Sequence, residues 1–63
     1  MDAAKRIKQY IEENGLKQSY VAEKAGINFP VFNAIMNGQT KLSVERLEAI
    51  SKALGVKPEI FLS

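Results

Sequence analysis

The 63-residue chain has no cysteine and no histidine, and these two absences exclude more chemistry than any residue present introduces. Without cysteine there is neither a disulfide to staple a small fold nor a thiolate to hold a metal. Without histidine the commonest general base and the commonest nitrogen ligand are missing. The serines therefore have no visible base, and Glu45 and Glu48 share a helix face without a second pair to complete a metal site. Neither an enzyme nor a cofactor is expected, and no small-molecule ligand. No apolar run is long enough to cross a bilayer, no signal peptide is expected, and no membrane partner. Repeats, linkers and low-complexity segments are also missing. Nor does one sign of charge dominate: nine Lys and Arg against seven Asp and Glu leave a net charge of +2, far from the balance of a nonspecific nucleic-acid coat.

What remains is an ordinary globular composition, with 46% hydrophobic and 25% charged residues. A chain this short buries only about 60% of its unfolded surface, so a single domain over residues 1–63 with one core is expected, held by packing alone.

Periodicity points to an all-α fold. Asp2 can cap a first helix over about 3–14, in which Ala4, Ile7, Tyr10, Ile11 and Asn14 form the inward stripe. Asn14-Gly15 stops it, and Leu16 is expected to pack beneath its end. A short second helix over about 18–25 relies on docking Val21 and Ala22 against its neighbours. Tyr20 on this helix either lies over the core edge with its hydroxyl in water or reaches a phosphate oxygen. The third helix covers about 29–37, with Pro30 acceptable in a first turn whose amides lack partners anyway. Ser43 caps a fourth helix over about 43–54, whose inner face is read as Val44, Leu47, Ile50, Ser51 and Leu54. Pro58 opens a fifth over 58–62, where Phe61 is expected to be buried and one of Ile60 and Leu62 to be left for a partner subunit.

The stretch from Gln18 to Gly38 organises the rest. Gly26 can take a left-handed conformation that ends the second helix, and Asn28 can cap the third through its side-chain oxygen. Ile27 and Phe32 flank that cap where a hydrophobic staple forms. Two short helices locked at a steep angle by a three- or four-residue turn make a helix-turn-helix, a geometry suited to presenting the second helix to the major groove of DNA.

The ordered set Gln18-x-x-Val21-Ala22-x-x-Ala25-Gly26-Ile27-Asn28, Phe32-x-x-Ile35-x-Asn37-Gly38, Ser43-x-x-x-Leu47-x-x-Ile50 and Ala53-Leu54-Gly55-Val56 is similar to the Cro and phage-repressor helix-turn-helix family of bacterial and phage regulators. It covers nearly the whole chain. The resemblance implies a five-helix, lambda-repressor-like domain in the cytoplasm that binds double-stranded DNA, as a homodimer at least on DNA, and regulates transcription, in the main by repression. It also implies that Phe29, Pro30, Asn33 and Ala34, with Asn28, occupy the base-contacting positions. Gln18 matches a glutamine that holds a backbone phosphate and braces the third helix. Two departures stand out. Lys17 occupies a cap position where most of the family has Ser or Thr, and Ile11 and Met36 stand where many members pair an arginine with a glutamate. An apolar contact in place of a buried ion pair avoids desolvating two charges, so the fold expectation is unchanged.

Asn33 is the best candidate for direct readout, because an amide can make a paired contact to adenine. Phosphate contacts need donors, and Lys17, Gln18, Asn37, the amide of Gly38, Gln39, Thr40 and Lys41 supply them, with Arg46 behind. For Phe29 three readings stay open: contact with thymine methyls, folding back on the domain, or binding a protein. The last leads to a rival function, in which Phe29, Pro30 and Val31 form the apolar patch of a protein-interaction module of the same fold, such as an antirepressor.

Overall fold

Residues 2–62 are described by a computed structural model; their regular structure is all helical, with no strand among them. Four α-helices follow in order, α1 (Ala3–Glu13), α2 (Gln18–Ala25), α3 (Phe29–Met36) and α4 (Val44–Leu54), and after them comes one 3-10 turn, Pro58–Phe61. The fifth helix expected over 58–62 is therefore a single 3-10 turn. Pro58 brings no amide, and the bonds that bound the turn are i to i−3, Ile60 N to Lys57 O at 3.2 Å and Leu62 N to Glu59 O at 3.1 Å. A segment this short cannot nucleate an α-helix by itself. The remaining boundaries lie within a residue of expectation, since Asn14, Asn37 and Ser43 act as caps.

The outer helices start on side-chain caps. Asp2 Oδ1 accepts from Ala4 N at 3.0 Å, and Ser43 Oγ accepts from Arg46 N at 3.1 Å; a cap of this kind contributes about 1 kcal/mol. All four α-helices close on a glycine at positive φ, followed by an amide that reaches back to the last turn, such as Leu16 N to Ile11 O at 3.0 Å and Val56 N to Ser51 O at 3.0 Å. These closures satisfy carbonyls that helix ends otherwise leave open.

The core draws on every element: Ile7 and Ile11 from α1, Val21 and Ala22 from α2, Phe32, Ile35 and Met36 from α3, Leu47 and Ile50 from α4, and Phe61 from the 3-10 turn. Phe61 is buried as expected and meets the Tyr10 ring edge to face, with centroids 5.7 Å apart. The one buried polar residue among those described, Ser51, donates its hydroxyl to Leu47 O at 2.7 Å, so its burial leaves no donor unpaired. Ile11 and Met36 both lie in this core, and the apolar replacement of an ion pair read from the sequence stands.

Three inward assignments are corrected. Asn14 is exposed, because it is the C-cap of α1 and its side-chain Nδ2 turns back to Tyr10 O at 2.8 Å. Leu16 is partly in solvent beyond the glycine that ends α1. Val44 is 70% exposed: it is the first residue of α4, where the helix has not yet reached the core, and it borders a shallow groove with Leu42, Leu47 and Leu62.

Met36 is 4% exposed, so Met36→Glu buries an unpaired carboxylate. A loss of about 3 kcal/mol or more is expected in thermal or urea denaturation. Burial raises the folded-state pKa of that carboxyl, so the deficit is full at neutral pH and shrinks as pH falls, because protonation removes the charge. An unchanged melting temperature would place Met36 outside the core.

Candidate nucleic-acid interface

The turn between α2 and α3 rests on Gly26, at φ 72° and ψ 26°, and on the bond from Ile27 N to Ala22 O at 2.9 Å. Ile27 packs against the core from the turn, and Phe32, five residues on, is fully buried. α3 is thereby anchored by one face, Phe32, Ile35 and Met36, while its opposite face looks outward.

That outward face contains the residues singled out in the sequence. Asn28, Phe29 and Pro30 are exposed, and Asn33 and Ala34 are half-buried. Phe29 is 46% exposed, so the ring is not folded into the core. Asn28 is the N-cap residue by position, but its side chain makes no cap bond. The expected side-chain cap is absent, and Pro30 in the first turn has no amide to donate to it.

Asn33 is held from two directions. Its Nδ2 donates to Gln18 Oε1 at 3.4 Å, and its Oδ1 accepts from Asn37 Nδ2 at 3.1 Å. The brace from Gln18 to the third helix, implied by resemblance, is present in this form. The contact from Asn37 lies outside the sequence expectation, which gives Asn37 a helix stop and a phosphate contact; the i, i+4 spacing of two asparagines on one helix is the signal for it.

The loop after α3 has its backbone turned inward. Gly38 N donates to Ile35 O at 3.1 Å, and Gln39 N and Thr40 N both reach Ala34 O, at 2.8 and 3.3 Å. The amide of Gly38, expected to face a phosphate, is thus engaged within the protein. The side chains of Asn37, Gln39, Thr40 and Lys41 remain exposed. At the start of α2, Lys17 makes no side-chain cap, so the first-turn amides of this helix have no side-chain acceptor. A helix N-terminus in that state favours a nearby anion. Tyr20 is 51% exposed and lies under Lys24, whose Nζ is 5.7 Å from the ring centroid. Among the described residues, no group of three or more acidic side chains is arranged to hold a metal, and no helix is long and apolar enough to cross a membrane.

Comparisons with known proteins agree with this geometry. The helix-turn-helix family model matches residues 7–61. The HTH-type transcriptional regulator SinR of Bacillus licheniformis is 41% identical over 59 residues, covering 92% of this chain and 53% of the relative, so the chain spans about half the length of that protein. A crystal structure of the master regulator for biofilm formation SinR in complex with DNA matches with a TM-score of 0.81 and 39% identity, over 97% of this chain and 98% of that one.

A methyl group at Gly26 would meet nothing within 4 Å, so the cost of Gly26→Ala is that of the left-handed backbone alone. A loss of about 1–2 kcal/mol is expected. Circular-dichroism melting should show it as a drop of at least roughly 4 °C for a domain of this size.

Proposed function

The chain belongs to the helix-turn-helix family of the Cro and phage-repressor type, and on that premise we propose that it binds double-stranded DNA sequence-specifically as a small transcriptional regulator, in the repressing sense, with α3 in the major groove. The family is one of DNA-binding regulators and not of enzymes. The observation that carries the reading is the solvent-facing start of α3, held against an α2 whose own first-turn amides lack a side-chain acceptor. The likeness to a regulator crystallised with DNA supports it.

On this reading Asn28, Phe29, Pro30, Asn33 and Ala34 face base edges. Asn33 reads adenine, and the Phe29 ring lies against thymine methyls. Lys17 and Gln18 hold one phosphate strand with the start of α2, while Asn37, Gln39, Thr40 and Lys41 hold the other, with Gly38 shaping the turn between them. An eight-residue α3 is about 12 Å long, which fills the groove but offers few contacts. Tight binding then needs two copies on half-sites about 34 Å apart. Val44 and Leu62, 70% and 63% exposed, border one groove and are the surface on which the second copy would close. Such a regulator acts where the DNA is, in the cytoplasm of a bacterial cell.

The exposed Phe29 also favours a second reading, a protein-interaction module that uses Phe29, Pro30 and Val31. A mobility-shift assay on duplexes selected from random DNA separates the two. Loss of about tenfold in affinity on Gln18→Ala and on Asn33→Ala, with binding that weakens as salt rises, is the expected result. A salt-insensitive complex with a protein, abolished by Phe29→Ala, is the outcome that would replace it. For the pairing of two copies, Leu62→Ser should leave the melting temperature and single half-site binding as they are and remove cooperativity on a duplex with both half-sites; cooperativity that survives would move the contact elsewhere.

A further inference from the structure

Of the three phenylalanines, Phe32 and Phe61 are buried and Phe29 is 46% exposed. Phe29 is the first residue of α3, and Pro30, also in solvent, follows it. Neither side chain has a nitrogen or an oxygen, and proline brings no amide either. Val31, the next in the run, packs against the core. Within α3 the one polar side chain is Asn33, at i+4 from Phe29 and so on the same face one turn further on. The end of the helix that enters a groove first therefore offers hydrocarbon side chains alone.

The floor of the major groove matches hydrocarbon at one kind of place. Every base edge there shows donors or acceptors, and the apolar group among them is the C5-methyl of thymine. A cytosine methylated at C5 carries the same group at the same ring position. The two bases differ beside it, where thymine shows the O4 acceptor and cytosine the N4 donor. Telling them apart takes a polar atom, which the side chains of Phe29 and Pro30 lack. We infer, resting on the DNA-binding reading above, that the start of α3 is a site for a C5-methylated pyrimidine of either kind. Phe29 reads the methyl group and not the base, so methylation of a cytosine at that position strengthens binding. Base identity is left to Asn33, one turn on, whose amide has the polar atoms that Phe29 lacks.

The test uses the wild-type chain on a duplex selected from random DNA, with each pyrimidine of the site replaced singly by thymine or uracil opposite adenine and by 5-methylcytosine or cytosine opposite guanine. Dissociation constants are compared in pairs that differ by the methyl alone, thymine against uracil and 5-methylcytosine against cytosine. At one position in each half-site both comparisons are expected to favour the methylated base, each by about fourfold, the effect of covering one methyl group. Phe29 lies outside the core, so Phe29→Ala should melt as the wild type does while both preferences vanish at that position. In Asn33→Ala affinity falls and both preferences stay. Three results would overturn the inference and leave DNA binding intact: no methyl preference at any position, preferences that persist in Phe29→Ala, or a preference for thymine over uracil without one for 5-methylcytosine over cytosine. The last would mean that a donor reads thymine O4. A wild-type chain that binds no duplex would remove the DNA reading and this one together.

Discussion

The angle between α2 and α3 depends on one backbone conformation that side chains resist. Gly26 turns the chain left-handed, Ile27 is drawn back onto Ala22 by a 2.9 Å bond, and Phe32 then enters the core from the far side of the turn. Neither α2 nor α3 exceeds eight residues, a length at which an isolated helix does not persist in water. Their existence is a tertiary fact. α2 holds because it packs most extensively against α4, with Val21 and Ala22 in the shared core, and α3 holds because it packs against both α2 and α1.

The four helices divide into two kinds by how they begin. α1 and α4 start on Asp2 and Ser43, whose side chains satisfy a first-turn amide within the chain. α2 and α3 start on Lys17 and Asn28, which make no such bond. A missing cap forgoes about 1 kcal/mol at each site. The first and last helices therefore begin with a satisfied amide, and the two helices of the turn keep polar groups available at their starts. Such a local departure from good helix design marks surfaces that meet something else.

This division also explains what the sequence made legible. Glycine stops, the Asp2 and Ser43 caps, and the apolar stripes of α1 and α4 are local signals, and element order and nearly all of the core follow from them. The joint reading of Ile11 and Met36 came instead from the family resemblance, which puts both at interior positions, and both are buried. Local signals failed at the edges. Val44 fits the α4 stripe by period, but period says nothing about where along its length a helix leaves the core. The segment after Pro58 carries helix-compatible residues and is too short to do more than close a 3-10 turn. Of the two bonds that hold Asn33, the one from Asn37 follows the i, i+4 spacing within α3, whereas the one to Gln18 depends on how closely α2 approaches α3, which no spacing within either helix encodes.

The chemistry of the exposed face has a consequence for how strongly charge can contribute. Of the groups proposed to touch DNA, only Lys17 and Lys41 carry a full charge; Gln18, Asn28, Asn33, Asn37, Gln39 and Thr40 are neutral donors and acceptors. Counterion release scales with the cations placed at phosphates, so one copy gains little of the sequence-independent affinity that holds strongly basic proteins on any duplex. Neutral amides keep their value only where geometry matches, because an amide facing the wrong partner is desolvated without compensation. A net charge of +2 is thus compatible with high selectivity and weak background binding. What such a domain lacks is strength, and the proposed pairing of two copies would supply it: two weak, selective copies on properly spaced half-sites multiply their preferences without raising the affinity of either for random DNA.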